Sequence, residues 1–120
     1  MKLSFNKDNL MNGINIVLKA VSSKTTMPIL ECILIDATSN EIKLTGNDME
    51  LGIETKVEGM ILERGKIALD AKLLSDIIRK LSGDESLITI ESDEKFNTVI
   101  TCVTLTLTRT RKTLWKKLKN

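Results

Sequence analysis

Few residues of this chain could do chemistry, and the missing types narrow the options as much as those present. Histidine does not occur. That removes imidazole acid–base catalysis, histidine metal ligation and every histidine-containing triad. The two cysteines, Cys32 and Cys102, are too few for a four-ligand zinc site, and Cys102 has no imidazole to activate it. They read as buried thiols in a reducing compartment rather than as a disulfide framework. Strand alternation would set Asp48, Glu50 and Glu54 on one face, the outline of a carboxylate metal cluster. Gly46-Asn47-Asp48 is also a turn signal, and a solvated turn and sheet surface accounts for the three acids. No catalytic residue, metal site or cofactor follows from this inventory.

What remains is charge. The 120 residues carry 18 Lys and Arg against 16 Asp and Glu. Residues 1–100 hold all 16 acids and 12 of the bases, while residues 101–120 hold 6 bases and no acid. An acidic body is thus followed by a basic segment. Within the body the chemistry-bearing candidates are Asn12, Asn15 and Lys19, then Lys24, then Lys72, Arg79 and Lys80 with Asp76 among them. Residues three and four apart share a helix face, and such a face can meet the phosphates of a nucleic acid. The plainer reading of each set is the wet side of an amphipathic helix, with Lys24 a solvated loop charge.

The elements that must position these residues follow from periodicity. Leu3 and Phe5 alternate with polar neighbours as an opening strand, and Asn6 is an N-cap with Asp8 in the first turn. Leu10, Ile14, Val17, Leu18 and Val21 form the apolar stripe of a first helix. Gly13 weakens that helix by about 1 kcal/mol relative to Ala, so its stability leans on packing. A polar loop, Ser22 to Thr26, leads to Met27-Pro28, and Ile29 to Ala37 reads as a largely buried strand. Ile42 to Thr45 is a second strand, closed by the turn at Gly46-Asn47-Asp48, and Leu51 to Val57 is a third. After Gly65 the pattern restarts: Ile67 and Leu69 in a strand, Asp70 as cap, and Leu73, Leu74, Ile77, Ile78 and Leu81 along a second helix. Leu87 to Glu91 and Phe96 to Thr101 are the strands that follow.

A shift of 64 residues lays Leu3 on Ile67, Phe5 on Leu69, Leu10 on Leu74, Ile14 on Ile78 and Val17 on Leu81. The expected fold is therefore α+β, a pseudo-twofold repeat of strand, helix and three strands, with two helices packed on one face of an antiparallel sheet. Aromatics are 2% of the chain, so the core must be aliphatic. No run approaches the roughly 18 apolar residues of a membrane span and no signal-peptide h-region opens the chain. A soluble, cytoplasmic protein is expected.

Met27-Pro28-Ile29-Leu30 after a polar loop, Ile42-Lys43-Leu44-Thr45-Gly46-Asn47-Asp48-Met49-Glu50, and the opening Met1-Lys2-Leu3 strand and helix together resemble the bacterial DNA polymerase III β sliding clamp family. The similarity runs from Met1 to about Cys102 and covers the first of that family's three domains. It implies the DNA-clamp fold, with helices lining the hole of a ring and sheets outside. It also implies a head-to-tail homodimer around duplex DNA, bound without sequence preference, with the polymerase and clamp loader as partners. No enzyme activity is implied, only processivity in replication. By position in the family, Lys24 and Lys72 match DNA-contact arginines and Arg79 a basic residue of the lumen helix. Lys80, Lys19, Asn12 and Asn15 complete the expected DNA-binding set. Lys in place of Arg keeps the charge and loses the bidentate geometry.

The resemblance stops after Cys102. The sequence divides into a clamp-like domain at 1–102 and a divergent Thr/Lys/Arg-rich tail at 103–120, with a final strand at 103–108 and a basic segment after it holding Trp115. This reads as a family chain cut short, its tail drawn from a shifted reading frame, a misassigned coding region or an engineered terminus, without the family's peptide-binding pocket. The alternative is a small stand-alone nucleic-acid-binding domain that acts through residues 109–119.

Overall fold

A computed structural model describes residues 1–21, 31–47, 52–80, 87–95, 97–103 and 109–115, the last of these through their backbone. The elements run β1 (Lys2–Asn6), α1 (Lys7–Leu18), β2 (Cys32–Asp36), β3 (Ile42–Asn47), β4 (Gly52–Val57), β5 (Met60–Glu63), β6 (Lys66–Asp70), α2 (Ala71–Lys80), β7 (Leu87–Ser92), β8 (Asn97–Val103) and β9 (Arg109–Trp115).

Both helices start where the capping chemistry puts them. The Asn6 side chain accepts the Asp8 amide at 2.9 Å, and Asp70 accepts the Leu73 amide at 2.9 Å. Each bond satisfies one of the orphan donors of a first helical turn. The repeat is kept to the residue: Lys66 opens β6 64 residues after Lys2 opens β1, and Ala71 opens α2 64 residues after Lys7 opens α1. On α1 the buried side is Leu10, Gly13, Ile14 and Val17; on α2 it is Ala71, Leu74, Ser75 and Ile78. Val21, expected on the first stripe, lies beyond the end of α1 and packs against the core from there.

The fold is α+β with the expected repeat, but its strands form two antiparallel sheets rather than one. Their orders are β5-β1-β7-β8-β9 and β4-β3-β2-β6. Each repeat sends its first strand into the sheet of the other. β1 pairs with β7, setting Leu3 opposite Ile90 and Phe5 opposite Ile88, while β6 pairs with β2, setting Leu69 opposite Ile33 and Ile67 opposite Ile35. All eight of these side chains are at least 96% buried. Exchanging first strands closes one core between the repeats, so neither half has a core to itself.

Three local expectations are corrected. Gly46 and Asn47 continue β3, pairing with Ile53 and Gly52, and do not turn. A Cβ on Gly46 would come within 2.6 Å of the Val17 carbonyl oxygen, so this glycine admits the end of α1 against the strand. The second is Met60–Glu63, a strand that the alternation did not mark; it pairs with β1 alone. The third is Leu73, placed on the apolar stripe of the second helix but 42% exposed. At the chain's end β8 runs through Val103, and the next described strand is Arg109–Trp115, in the basic segment whose conformation the sequence leaves open. Residues 104–108, which carry most of the expected final strand, lie outside the described residues, as do Met27-Pro28, Asp48, Glu50 and Leu81.

Candidate nucleic-acid interface

Both helices contact the β4-β3-β2-β6 sheet, α1 across β3 and β4 and α2 beside β6 and β2, and they contact each other. Their outer sides therefore form one surface that turns away from that sheet. Asn12, Asn15 and Lys19 are all exposed there from α1 and the residue after it, and Lys72, Arg79 and Lys80 from α2. The sequence places these six on the polar faces, and the structure agrees. Lys24 lies outside the described residues.

Only part of the set converges. Lys72 and Arg79 line one cavity of about 600 Å³, closed on the α1 side by Leu18 and Val21. Lys80, Lys19, Asn12 and Asn15 sit outside it on the open surface. Within the cavity Ser75 is 3% exposed, and its hydroxyl oxygen accepts a hydrogen bond from Arg79 Nη2 at 3.1 Å. Asp76 Oδ1 lies 3.9 Å from Arg79 Nη1. Among the described residues Lys72, Lys80 and Lys19 have no ion-pair partner within 4 Å.

These cations also serve the helices. Arg79 and Lys80 occupy the last turn of α2 and Lys19 follows α1, where unsatisfied carbonyls favour positive charge. That structural role is compatible with an anion-facing one, because side chains at a helix end stay free to reach outward. The cavity also has members that sequence spacing does not reveal. Glu31, the residue before β2, also lines it. Ser75 reads in sequence as one more polar residue of α2. Nothing in its position marks it as the acceptor for Arg79.

Elsewhere the surface is different. A second cavity, about 620 Å³, is bordered by Glu63, Glu91, Asp93 and Glu94. The Met1 α-amino group lies 3.3 Å from Glu63 Oε1 and donates to the Ser92 carbonyl oxygen at 3.2 Å. Four acids thus border this second cavity, whereas the first sets Glu31, Asp70 and Asp76 beside Lys72 and Arg79. Among the described residues no group of three or more Cys, Asp or Glu is placed to hold a metal ion, Glu54 is exposed on β4, and Cys32 and Cys102 are buried and form no disulfide. No described helix is long and apolar enough to cross a membrane.

Comparison with known proteins is consistent from three directions. Residues 1–112 match the family model for the N-terminal domain of the DNA polymerase III beta subunit, ten residues past Cys102, where the resemblance in sequence stops. A beta sliding clamp from Staphylococcus epidermidis is 40% identical over 109 residues, covering 84% of this chain and 28% of that protein. One from Staphylococcus aureus is 38% identical over the same length. Among solved structures, a DNA polymerase III beta subunit from Eubacterium rectale superposes with a TM-score of 0.85 at 56% identity, covering 96% of this chain and 30% of that one. The sliding clamp of Bacillus subtilis gives 0.82 at 30% identity, covering all of this chain and 34% of that one. The chain spans about a third or less of the length of these relatives.

Proposed function

The chain belongs to the DNA polymerase III beta subunit family, and on that premise we propose that it is the N-terminal, DNA-facing domain of a non-catalytic replication clamp. The observation that carries the reading is the exposed surface of the two-helix layer, where Lys19, Lys72, Arg79 and Lys80 stand with Asn12 and Asn15 while the sheets lie behind. Such a surface suits the sugar–phosphate backbone of duplex DNA. Among the described residues it has several cations, no aromatic platform and no cluster of donors and acceptors set to read base edges.

A sliding contact has to be weak and uniform. Each neutralised phosphate adds about −0.9 to the slope of log affinity against log salt, so about three contacts give a shallow dependence and let the protein move along the duplex. Lys24 joins the proposed set through the resemblance. In a whole family protein the same reading includes a head-to-tail homodimer and encounters with polymerase and clamp loader. Residues 109–119 acting alone have less behind them, since Arg109–Trp115 is paired to β8 and the family model reaches residue 112.

The test is fluorescence anisotropy with a labelled duplex of mixed sequence across a salt series. Lys72→Gln and Arg79→Gln should each weaken binding equally on unrelated sequences and lower the slope by about 0.9. Lys56→Gln, on the exposed side of β4, should leave binding as it was. Equal losses from all three substitutions, or a preference for one sequence, would defeat the reading.

A further inference from the structure

Lys72, Asp76 and Arg79 follow one another at four and three residues along the exposed side of α2, so the carboxylate sits between the two cations that line the cavity. Arg79 is doubly engaged there: Nη2 donates to the buried Ser75 hydroxyl at 3.1 Å, and Nη1 lies 3.9 Å from Asp76 Oδ1. The two contacts differ in kind. The Ser75 bond uses a neutral acceptor that is 3% exposed, so it fixes the guanidinium and leaves its charge intact. The Asp76 contact is an ion pair between side chains 62% and 42% exposed. It holds the guanidinium by an electrostatic attraction that water and salt weaken, and a phosphate oxygen would compete for the same nitrogen.

We infer that Asp76 is an internal counter-ion that competes with backbone phosphate for Arg79 and thereby limits how tightly the helix surface grips DNA. The inference rests on the DNA-facing reading of that surface and adds the device that keeps the grip loose. Ser75 is the positioning residue. It keeps the guanidinium at the mouth of the cavity, and Asp76 supplies a charge that must be given up when a phosphate arrives. Lys72 has no ion pair within 4 Å among the described residues, so the acids that share its cavity, Glu31, Asp70 and Asp76, engage it less closely than Asp76 engages Arg79. Phosphate contacts across this surface are accordingly unequal, with Lys72 the stronger contact for its charge and Arg79 the attenuated one.

The experiment uses the full chain and a labelled mixed-sequence duplex, with anisotropy read over a salt series for the wild type, Asp76→Asn, Asp76→Glu, Arg79→Gln and the double variant Asp76→Asn/Arg79→Gln. Asp76→Asn should tighten binding about two- to five-fold, the range of an exposed ion pair, and steepen the salt slope by up to about 0.9 as Arg79 becomes free to neutralise a phosphate. Asp76→Glu, which keeps the charge, should restore the wild-type slope. In the Arg79→Gln background the Asn substitution should lose most of its gain, because its effect runs through that guanidinium. A purely structural role for Asp76 would move the unfolding midpoint without steepening the slope. No tightening in Asp76→Asn, or an equal gain with and without Arg79, overturns the inference while Arg79→Gln still weakens binding. If Arg79→Gln and Lys72→Gln leave binding untouched, the DNA-facing reading fails first and the counter-ion falls with it.

Discussion

Replacing Gly13 by Ala tests how α1 is held against the sheet that supports the interface. In an isolated helix the change would stabilise by about 1 kcal/mol. Here a Cβ at this position would stand 2.5 Å from Val57 Cγ2, 3.1 Å from Leu44 Cδ1 and 3.7 Å from Thr55 Cγ2. Val57 is β-branched, 7% exposed and near the end of β4, and Leu44 is fully buried, so neither can swing away cheaply. Relief of the 2.5 Å contact requires α1 to lift from β4 by about 1 Å, and overpacking of this kind costs about 1–3 kcal/mol. Set against the propensity gain, the expected net loss is about 1 kcal/mol, or roughly 4–8 °C in the thermal midpoint of a domain this size. Urea unfolding followed by far-ultraviolet circular dichroism measures it. Val57→Ala removes the obstructing methyl and should itself cost about 1.6 kcal/mol for two methyl groups. Gly13→Ala should then stabilise in the Val57→Ala background, a coupling of opposite sign to the single change. If Gly13→Ala raises the midpoint in the wild-type background, the close approach of α1 to β4 is not what this glycine serves.

The caps and one surface carboxylate give two further expectations. Asp70→Ala should lose about 1 kcal/mol, with Asp70→Asn recovering most of it, because the cap to the Leu73 amide at 2.9 Å needs only a side-chain oxygen; equal losses from both in urea unfolding would count against the cap. Asp36 accepts from the Thr38 hydroxyl at 2.7 Å and the Thr38 amide at 2.9 Å. Those bonds, hydroxyl first, with the Lys66 and Lys43 charges behind them, hold its carboxyl below the usual carboxylate range against the opposing pull of burial. A depressed folded-state pKa means that the stabilisation is complete above the unfolded value of about 3.9 and is lost as pH falls through the folded value. Asp36→Asn should therefore flatten the acid limb of the stability–pH curve, by about 1 kcal/mol at most for a group near the surface. An unchanged acid limb in urea midpoints taken from neutral to acid pH would refute it.

Much of the architecture was legible because it is written in local chemistry. Asn6 and Asp70 mark helix starts, since an orphan amide needs an acceptor within reach along the chain. Leu10, Ile14 and Val17 mark a helix face because 3.6 residues make a turn. The 64-residue repeat appeared for the same reason: both halves solve the same local problem with the same residue types. β5 escaped because Met60 and Leu62 are both exposed, 62% and 53%, so a four-residue strand carried no apolar–polar alternation to read. Gly46 reads in sequence as punctuation because a turn and a close backbone approach ask for the same residue. The basic run at 109–115 shows no conformation in sequence, because composition alone does not say whether such a run finds a strand beside it.

The interface divides along the same line. Sequence by itself determined which residues are exposed together on each helix, because a helix face depends only on spacing: Asn12, Asn15 and Lys19 on one, Lys72, Arg79 and Lys80 on the other. It also excluded histidine chemistry outright. The tertiary structure alone decided that β1 and β6 exchange sheets, that the two helix faces form a single surface, and that Leu18, Glu31 and Ser75 meet Lys72 and Arg79 around one cavity. The physical reason is range. Capping and amphipathicity act over three or four residues, whereas strand exchange and cavity formation depend on which apolar faces bury each other across more than fifty.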